Sequence, residues 1–296
     1  MNLRVGRRCC AAGSAGLTRR RSNAALPTHW LLSVRQASRL SSIRVQQSRT
    51  GGTCCLTRFI GAGRALLLKR IDMPQHFEQE LVALKEMLLT MASHAESAVT
   101  RAVQAVAERD DDLARQVKED DSLIDQFEID IDEAAVNLLA KAPLATDLRL
   151  ITVAMKVSLD LERVGDEATT ISRRSLELSR EAPLTLKIDI PGMAGIALSM
   201  LNNALDAFVN RNPLKAREVI PHDKEVDELN KRLHRELVGC MTEKPETIGR
   251  CLNFMVISKS LERIADHATN IAEEVVYLYE ALDIRHTGKG AAVRHA

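Results

Sequence analysis

The sequence predicts an all-α protein, a tandem and pseudo-symmetric pair of antiparallel three-helix bundles. Three observations carry this. Aromatic residues make up only 3% of the chain while 45% is hydrophobic, so a core must be built from Leu, Ile, Val, Ala and Met, the side chains helix bundles use. Apolar residues recur at alternating steps of three and four, the period of one helix face. The body also repeats itself at a period of about 100 residues.

The repeat is ungapped over its first part. At an offset of 102, Arg109 meets Arg211, Ala114 meets Ala216, Arg115 meets Arg217, Val117 meets Val219, Asp121 meets Asp223 and Asp125 meets Asp227. Further on the offset is 100, and LERVGDEATTI (161–171) falls on LERIADHATNI (261–271), with Met155 on Met255. A slip of two residues fits a shorter loop in the second copy.

Punctuating residues divide each copy into three helices. The first copy reads as helices over 75–109, 111–141 and 146–180, broken by the Asp110–Asp112 cluster and by Pro143. The second reads as 192–210, 213–241 and 246–282, with Asn212 an N-cap before Pro213 at the first helical position. Pro183, Pro191 and Gly192 mark the joint. Pro221 removes a backbone donor and should kink its helix near Ile220. The third helices carry a heptad seam, Leu161, Val164, Ala168, Ile171, Ser175 and Leu178 in one copy, and Leu261, Ile264, Ala268, Ile271, Val275, Leu278 and Leu282 in the other. A helix of ~35 residues spans about 50 Å, so two elongated bundles are expected, 73–184 and 185–284, followed by a flexible tail 285–296.

Charge separates this body from what precedes it. Residues 1–72 hold 14 Lys and Arg against one acid, whereas residues 73–296 hold 27 basic and 39 acidic residues, a net of −12. An acidic body argues against nucleic-acid binding, which needs a concentrated cationic surface. The lead lacks periodicity and contains Cys9-Cys10 and Cys54-Cys55. It is read as upstream sequence added by an early start, ahead of a targeting segment or a basic tail, and is left out of the fold. Cys240 and Cys251 have no CxxC or His partner at metal spacing, and are read as small buried hydrophobes in a reducing compartment. No run approaches 18 consecutive apolar residues, so no membrane insertion is expected.

The chemistry lies in paired carboxylates. Asp121 with Asp125 and Asp223 with Asp227 sit four apart on the second helices, and Glu162 with Asp166 and Glu262 with Asp266 on the third. Residues four apart share a helix face, and each glutamate directly follows a seam leucine, beside the buried contact. If the pairs of one copy converge, four carboxylates crowd one patch and need a cation. Arg163 and Arg263 could supply it as ion pairs, or a hard metal ion could. An all-oxygen donor set points to magnesium, manganese, calcium or ferric iron rather than structural zinc. His222 and His267 stand beside Asp223 and Asp266 and are read as surface or capping residues. No Glu has a His three residues on, as a ferritin-like di-iron enzyme requires. A P-loop, a Rossmann glycine pattern and a G-x-S-x-G elbow are also missing.

LERVGDEATTI and LERIADHATNI, the first preceded by PLATDLRLITVAMKVSLD, resemble the PhoU family of phosphate-transport regulators over residues 73–284. The resemblance implies metal clusters, often iron, held on the bundle surface by Asp121, Asp125, Glu162, Asp166, Asp223, Asp227, Glu262 and Asp266. It also implies a cytoplasmic, non-enzymatic homodimer without catalytic residues, peripheral to the inner membrane through its partners. Those partners are the phosphate ABC transporter ATPase and a phosphate-sensing histidine kinase. The implied role is repression of the starvation response when phosphate is plentiful. A metal-dependent hydrolase or oxidase, and a plain helical adaptor without metal, are the competing expectations.

Overall fold

The computed structural model describes residues 73–141 and 144–285. The basic lead, Pro143 and the tail from residue 286 lie outside the described residues. Among the described residues there is no strand. The first copy consists of α1 (Met73–Glu108), α2 (Asp111–Leu139) and α3 (Ala145–Leu178). The second consists of α4 (Ile190–Val209), α5 (Pro213–Val219), α6 (Asp223–Glu243) and α7 (Ile248–Glu280).

The same device turns the chain in both copies. Arg109 and Arg211, the residues that end α1 and α4, adopt left-handed φ values of 55° and 53°. Just beyond them, Asp110 N donates to Ala105 O at 3.1 Å and Asn212 N to Ala207 O at 2.9 Å, the six-to-one closure of a Schellman motif. Those two residues then cap the next helix. The Asp110 carboxylate accepts from the backbone N–H groups of Asp112 and Leu113, both at 3.0 Å, and Asn212 Oδ1 accepts from Lys215 N at 3.1 Å. One residue thus closes one helix and opens its neighbour, which is why the turns are short. Arg109 also donates to the Leu178 and Glu181 carbonyls, tying the end of α1 to the chain that leaves α3.

Pro221 does more than kink a helix. The expected helix 213–241 is two helices separated by a 3-10 turn, Ile220–His222, because the missing proline N–H breaks the α ladder and the tighter turn absorbs the gap. A second such turn, Pro245–Thr247, precedes α7.

The seams are the core. Leu161, Val164, Ala168 and Ile171 of α3 and Leu261, Ile264, Ala268, Ile271 and Val275 of α7 are fully buried. Leu282 is the exception, at 44% exposure: Ala281 turns left-handed at φ 57° and ends α7 before the seam reaches it. Each buried leucine or isoleucine contributes about 1.5–3 kcal/mol relative to exposure.

α3 packs on α1 and α2, α7 packs on α4, α5 and α6, and α3 and α7 pack on each other. The elongated bundles therefore share one continuous apolar core. Polar contacts fix the register between α3 and α7. Lys156 reaches Glu274 at 2.9 Å, Asp160 meets His267 Nδ1 at 2.8 Å, and Arg263 donates to Glu167 at 2.9 Å. As the α3 number rises the α7 number falls, so the two run antiparallel. Glu274 is only 5% exposed and is held by both Lys156 and Arg285, the latter at 3.2 Å, as a buried carboxylate requires.

α4 is long and apolar enough to cross a membrane by length and composition, with a mean hydropathy of 1.2. Its apolar face, including Met193, Ala197, Leu201 and Phe208, is buried in the core, and Asn202 on the other face donates to Glu96 at 2.8 Å.

Candidate metal centre

α2 and α3 bring the first set of carboxylates together, and α6 and α7 the second. The physical sign is that Asp121, Glu162, Asp223 and Asp266 are shifted by their acidic neighbours. Asp121 is raised from the ordinary carboxylate range first by burial, then by Asp125 and Asp166. Glu162 is raised by burial, then by Asp166, with Glu128 and Asp125 adding to the effect and Arg163 opposing it. In the second copy Asp223 is raised by burial, Asp227 and Glu262. Asp266 is pushed up to about 6, first by lost hydration and then by Glu262 and Asp223. The expected carboxylates of each copy therefore lie within electrostatic reach of one another, including Asp125 with Glu162 and Asp227 with Asp266.

Both expected sources of compensating charge are only partly realised. Arg163 lies 3.3 Å from Glu162 and 3.1 Å from Asp166. Arg263 does not play that part in the second copy, because it crosses to Glu167 on α3. There Lys259 sits against Glu262, and Lys231 approaches Asp227 at 3.6 Å. Glu162 Oε2 and Glu262 Oε2 are buried and are met by the charges of Arg163 and Lys259. Asp223 Oδ1 is buried and accepts no hydrogen bond, which is costly for a carboxylate oxygen.

These observations test the donor set against a metal ion. Clustered carboxylate oxygens with unused lone pairs suit a hard, oxygen-seeking cation. Among the described residues, no three His, Cys, Asp or Glu side chains are already drawn to coordination distance of one point. As placed, the carboxylates form an open acidic face rather than a coordination cage, and holding an ion would require their side chains to draw together.

Sequence reasoning missed Glu128. It lies seven residues after Asp121 on the same face of α2, so the spacing was available, but its repeat partner is Asn230 and it belongs to no acidic pair shared by both copies. Asn230 is instead bonded to a serine, accepting from Ser258 Oγ at 2.8 Å. The first patch is accordingly the more acidic. It also opens on a strongly polar cavity of about 520 Å³, lined by Asp121, Asp166, Arg163, Arg173, Arg263 and His267. A larger cavity of about 920 Å³, lined by Arg174, Leu252, Val256 and Lys259, has no orphaned carboxylate and is not the site. His267 bridges to Asp160 of the other copy, and His222 lies 3.5 Å from Glu225, so neither points to a ligand role.

The raised acids give a pH signature. A carboxyl whose folded pKa lies above its unfolded value binds more protons when folded, so its contribution to stability falls as pH rises between the two. For Asp266 that window runs from 3.8 to about 6. In chelator, Asp266→Asn should therefore gain on the unsubstituted chain across that window, by about 1 kcal/mol after discounting for solvent screening. Urea midpoints measured at intervals of pH check it; a constant difference would refute it.

A duplicated helical scaffold that presents one carboxylate patch per copy, across paired helices, defines the class of protein. The PhoU domain model matches residues 88–175 and 190–275, one match in each copy. The chain belongs to the PhoU family. It is 42% identical over 216 residues to the "phosphate-specific transport system accessory protein PhoU homolog" of Pseudomonas aeruginosa, covering 72% of this chain and 89% of that protein. To the Escherichia coli accessory protein PhoU it is 34% identical over 213 residues, covering 72% and 88%. The crystal structure of PhoU from Pseudomonas aeruginosa superposes with a TM-score of 0.68 at 41% identity, covering 70% of this chain and all of that one. PhoU from Streptococcus pneumoniae, described as a phosphate transport system regulatory protein, gives 0.66 at 29% identity, covering 70% and 99%.

Proposed function

We propose that this chain is a metal-binding regulator of phosphate uptake and signalling, not an enzyme. It acts in the cytoplasm between the ATPase of a phosphate ABC transporter and a phosphate-sensing histidine kinase, and represses the starvation response when phosphate is plentiful. The observation that carries the reading is the match to PhoU domains in both copies, together with relatives named as accessory proteins of phosphate-specific transport. The helical faces offer broad docking area, and ions on the two patches would bias one docking state over another. Ile129 and Val136, seven residues apart on α2 and more than half exposed, supply apolar surface for a second copy.

Iron, manganese or magnesium would supply positive charge that the carboxylates lack. The chain's own part is to hold Asp121, Asp125, Glu162 and Asp166, and Asp223, Asp227, Glu262 and Asp266, on facing helices. Deleting the gene should raise phosphate-starvation gene expression and phosphate uptake in phosphate-replete cells; unchanged expression and uptake would overturn the regulatory reading. The ion pairs of Arg163, Lys231 and Lys259 favour a second reading, an adaptor that needs no metal. Elemental analysis of the protein purified from iron- and manganese-supplied cells separates the two, since the adaptor carries less than one ion per chain.

A further inference from the structure

Cys240 and Cys251 are far from the carboxylate face, and the proposed function uses neither. They flank the turn Pro245–Thr247, Cys240 in the last turn of α6 and Cys251 in the first turn of α7. Cys251 is fully buried and Cys240 half-buried. Thr247, itself 6% exposed, stands between them. Its hydroxyl donates to the Lys244 carbonyl at 2.7 Å, which uses its one proton and leaves its lone pairs to accept. Both thiols take that offer: Cys251 Sγ and Cys240 Sγ each lie 3.6 Å from Thr247 Oγ1. Two S–H groups from consecutive helices thus converge on one oxygen. Packing alone asks for no such meeting, since a buried cysteine behaves as a small hydrophobe wherever it sits.

We infer that Cys240 and Cys251 form a reversible dithiol–disulfide site, oxidised by a low-molecular-weight disulfide such as glutathione disulfide, that clamps the joint between α6 and α7. The more accessible Cys240 attacks as its thiolate on one sulfur of glutathione disulfide. That S–S bond breaks, and the departing glutathione takes up the proton Cys240 gave up. Cys251 then attacks the Cys240 sulfur of the mixed disulfide, and the second glutathione leaves with the Cys251 proton. The two cysteines lose two electrons and two protons in all, and one glutathione disulfide becomes two glutathione thiols. Burial raises the Cys251 thiol above its ordinary range, so the more accessible Cys240 is the one that meets glutathione disulfide first. The bond ties together the two helices that carry Asp223, Asp227, Glu262 and Asp266.

The test uses the full chain, incubated with glutathione disulfide, its remaining thiols blocked, and digested by trypsin without reductant. Lys244 is followed by Pro245, so cleavage falls after Arg250 and the cysteines part onto peptides 236–250 and 251–259. The expected product is those two peptides joined, lighter than their sum by two hydrogen atoms and separated by reductant. Cys251→Ser lacks the second thiol and should stop with glutathione on Cys240. The inference is overturned if the unsubstituted chain yields the two peptides separately blocked, or keeps glutathione on Cys240. A link from either cysteine to Cys9, Cys10, Cys54 or Cys55 overturns it as well.

Discussion

Replacing Glu262 by Gln and Asp266 by Asn in one chain is expected to make the metal-free protein more stable by about 1–3 kcal/mol while removing ion binding at the second patch. Glu262 is 8% exposed, with Lys259 against its buried Oε2, and burial and then Glu262 push Asp266 up to about 6. Two carboxylates ~5 Å apart repel by about 3 kcal/mol at an effective dielectric of 20, and Lys259 and Lys231 offset only part of this. The amides keep the shape and drop the charge. A saturating cation reverses the order, because an ion present at 100 times its Kd stabilises the chain that binds it by about 2.7 kcal/mol. Urea midpoints in chelator and in manganese, with manganese titrations beside them, give the sign. If the carboxylates exist for their lysine partners, the substitutions destabilise the chelated chain and manganese makes no difference to either protein.

Locality separates the legible from the illegible in this sequence. The repeat, the three-helix plan of the first copy, the Asn212 cap and the seam through Leu161 and Leu261 were legible because each rests on a local pattern of residues. The i,i+4 pairs and the seam allowed Asp125 and Glu162 to approach but did not require it; the packing of α2 on α3 brings them within electrostatic reach. What was hidden depends on distance in space without a pattern in sequence. Arg263 sits beside Glu262 in the chain yet bonds to Glu167, because the antiparallel contact of α3 with α7 offers a partner that no local spacing reveals. Cys240 and Cys251 looked solitary until the turn at Pro245 folded one helix back beside the other. Leu282 continued the heptad on paper, but the left-handed Ala281 ended the helix that would have buried it.

Gly165→Ala is expected to destabilise the chain by about 1–3 kcal/mol and to disturb the first patch, and Ile124→Val is expected to reverse both effects. A Cβ at Gly165 would stand 3.0 Å from Ile124 Cδ1, 3.3 Å from Asp121 Oδ1 and 3.4 Å from Ile124 Cγ2. Ile124 is 2% exposed and has little room to yield. The second copy shows the alternative solution: Ala265 replaces Gly165, and Val226 replaces Ile124. A methyl absent from one helix is present on the other, so the sum of side-chain carbons across the α2–α3 and α6–α7 contacts is the same. Volume-conserving exchanges of this kind are the best tolerated in packed interiors. A double-mutant cycle therefore separates packing from chemistry. The coupling between the two substitutions should be comparable in size to the loss from Gly165→Ala, and manganese affinity at the first patch should fall in the single variant and return in the double. Additive stabilities would mean that Ile124 relaxes freely and that the methyl exchange between the copies carries no constraint on Asp121.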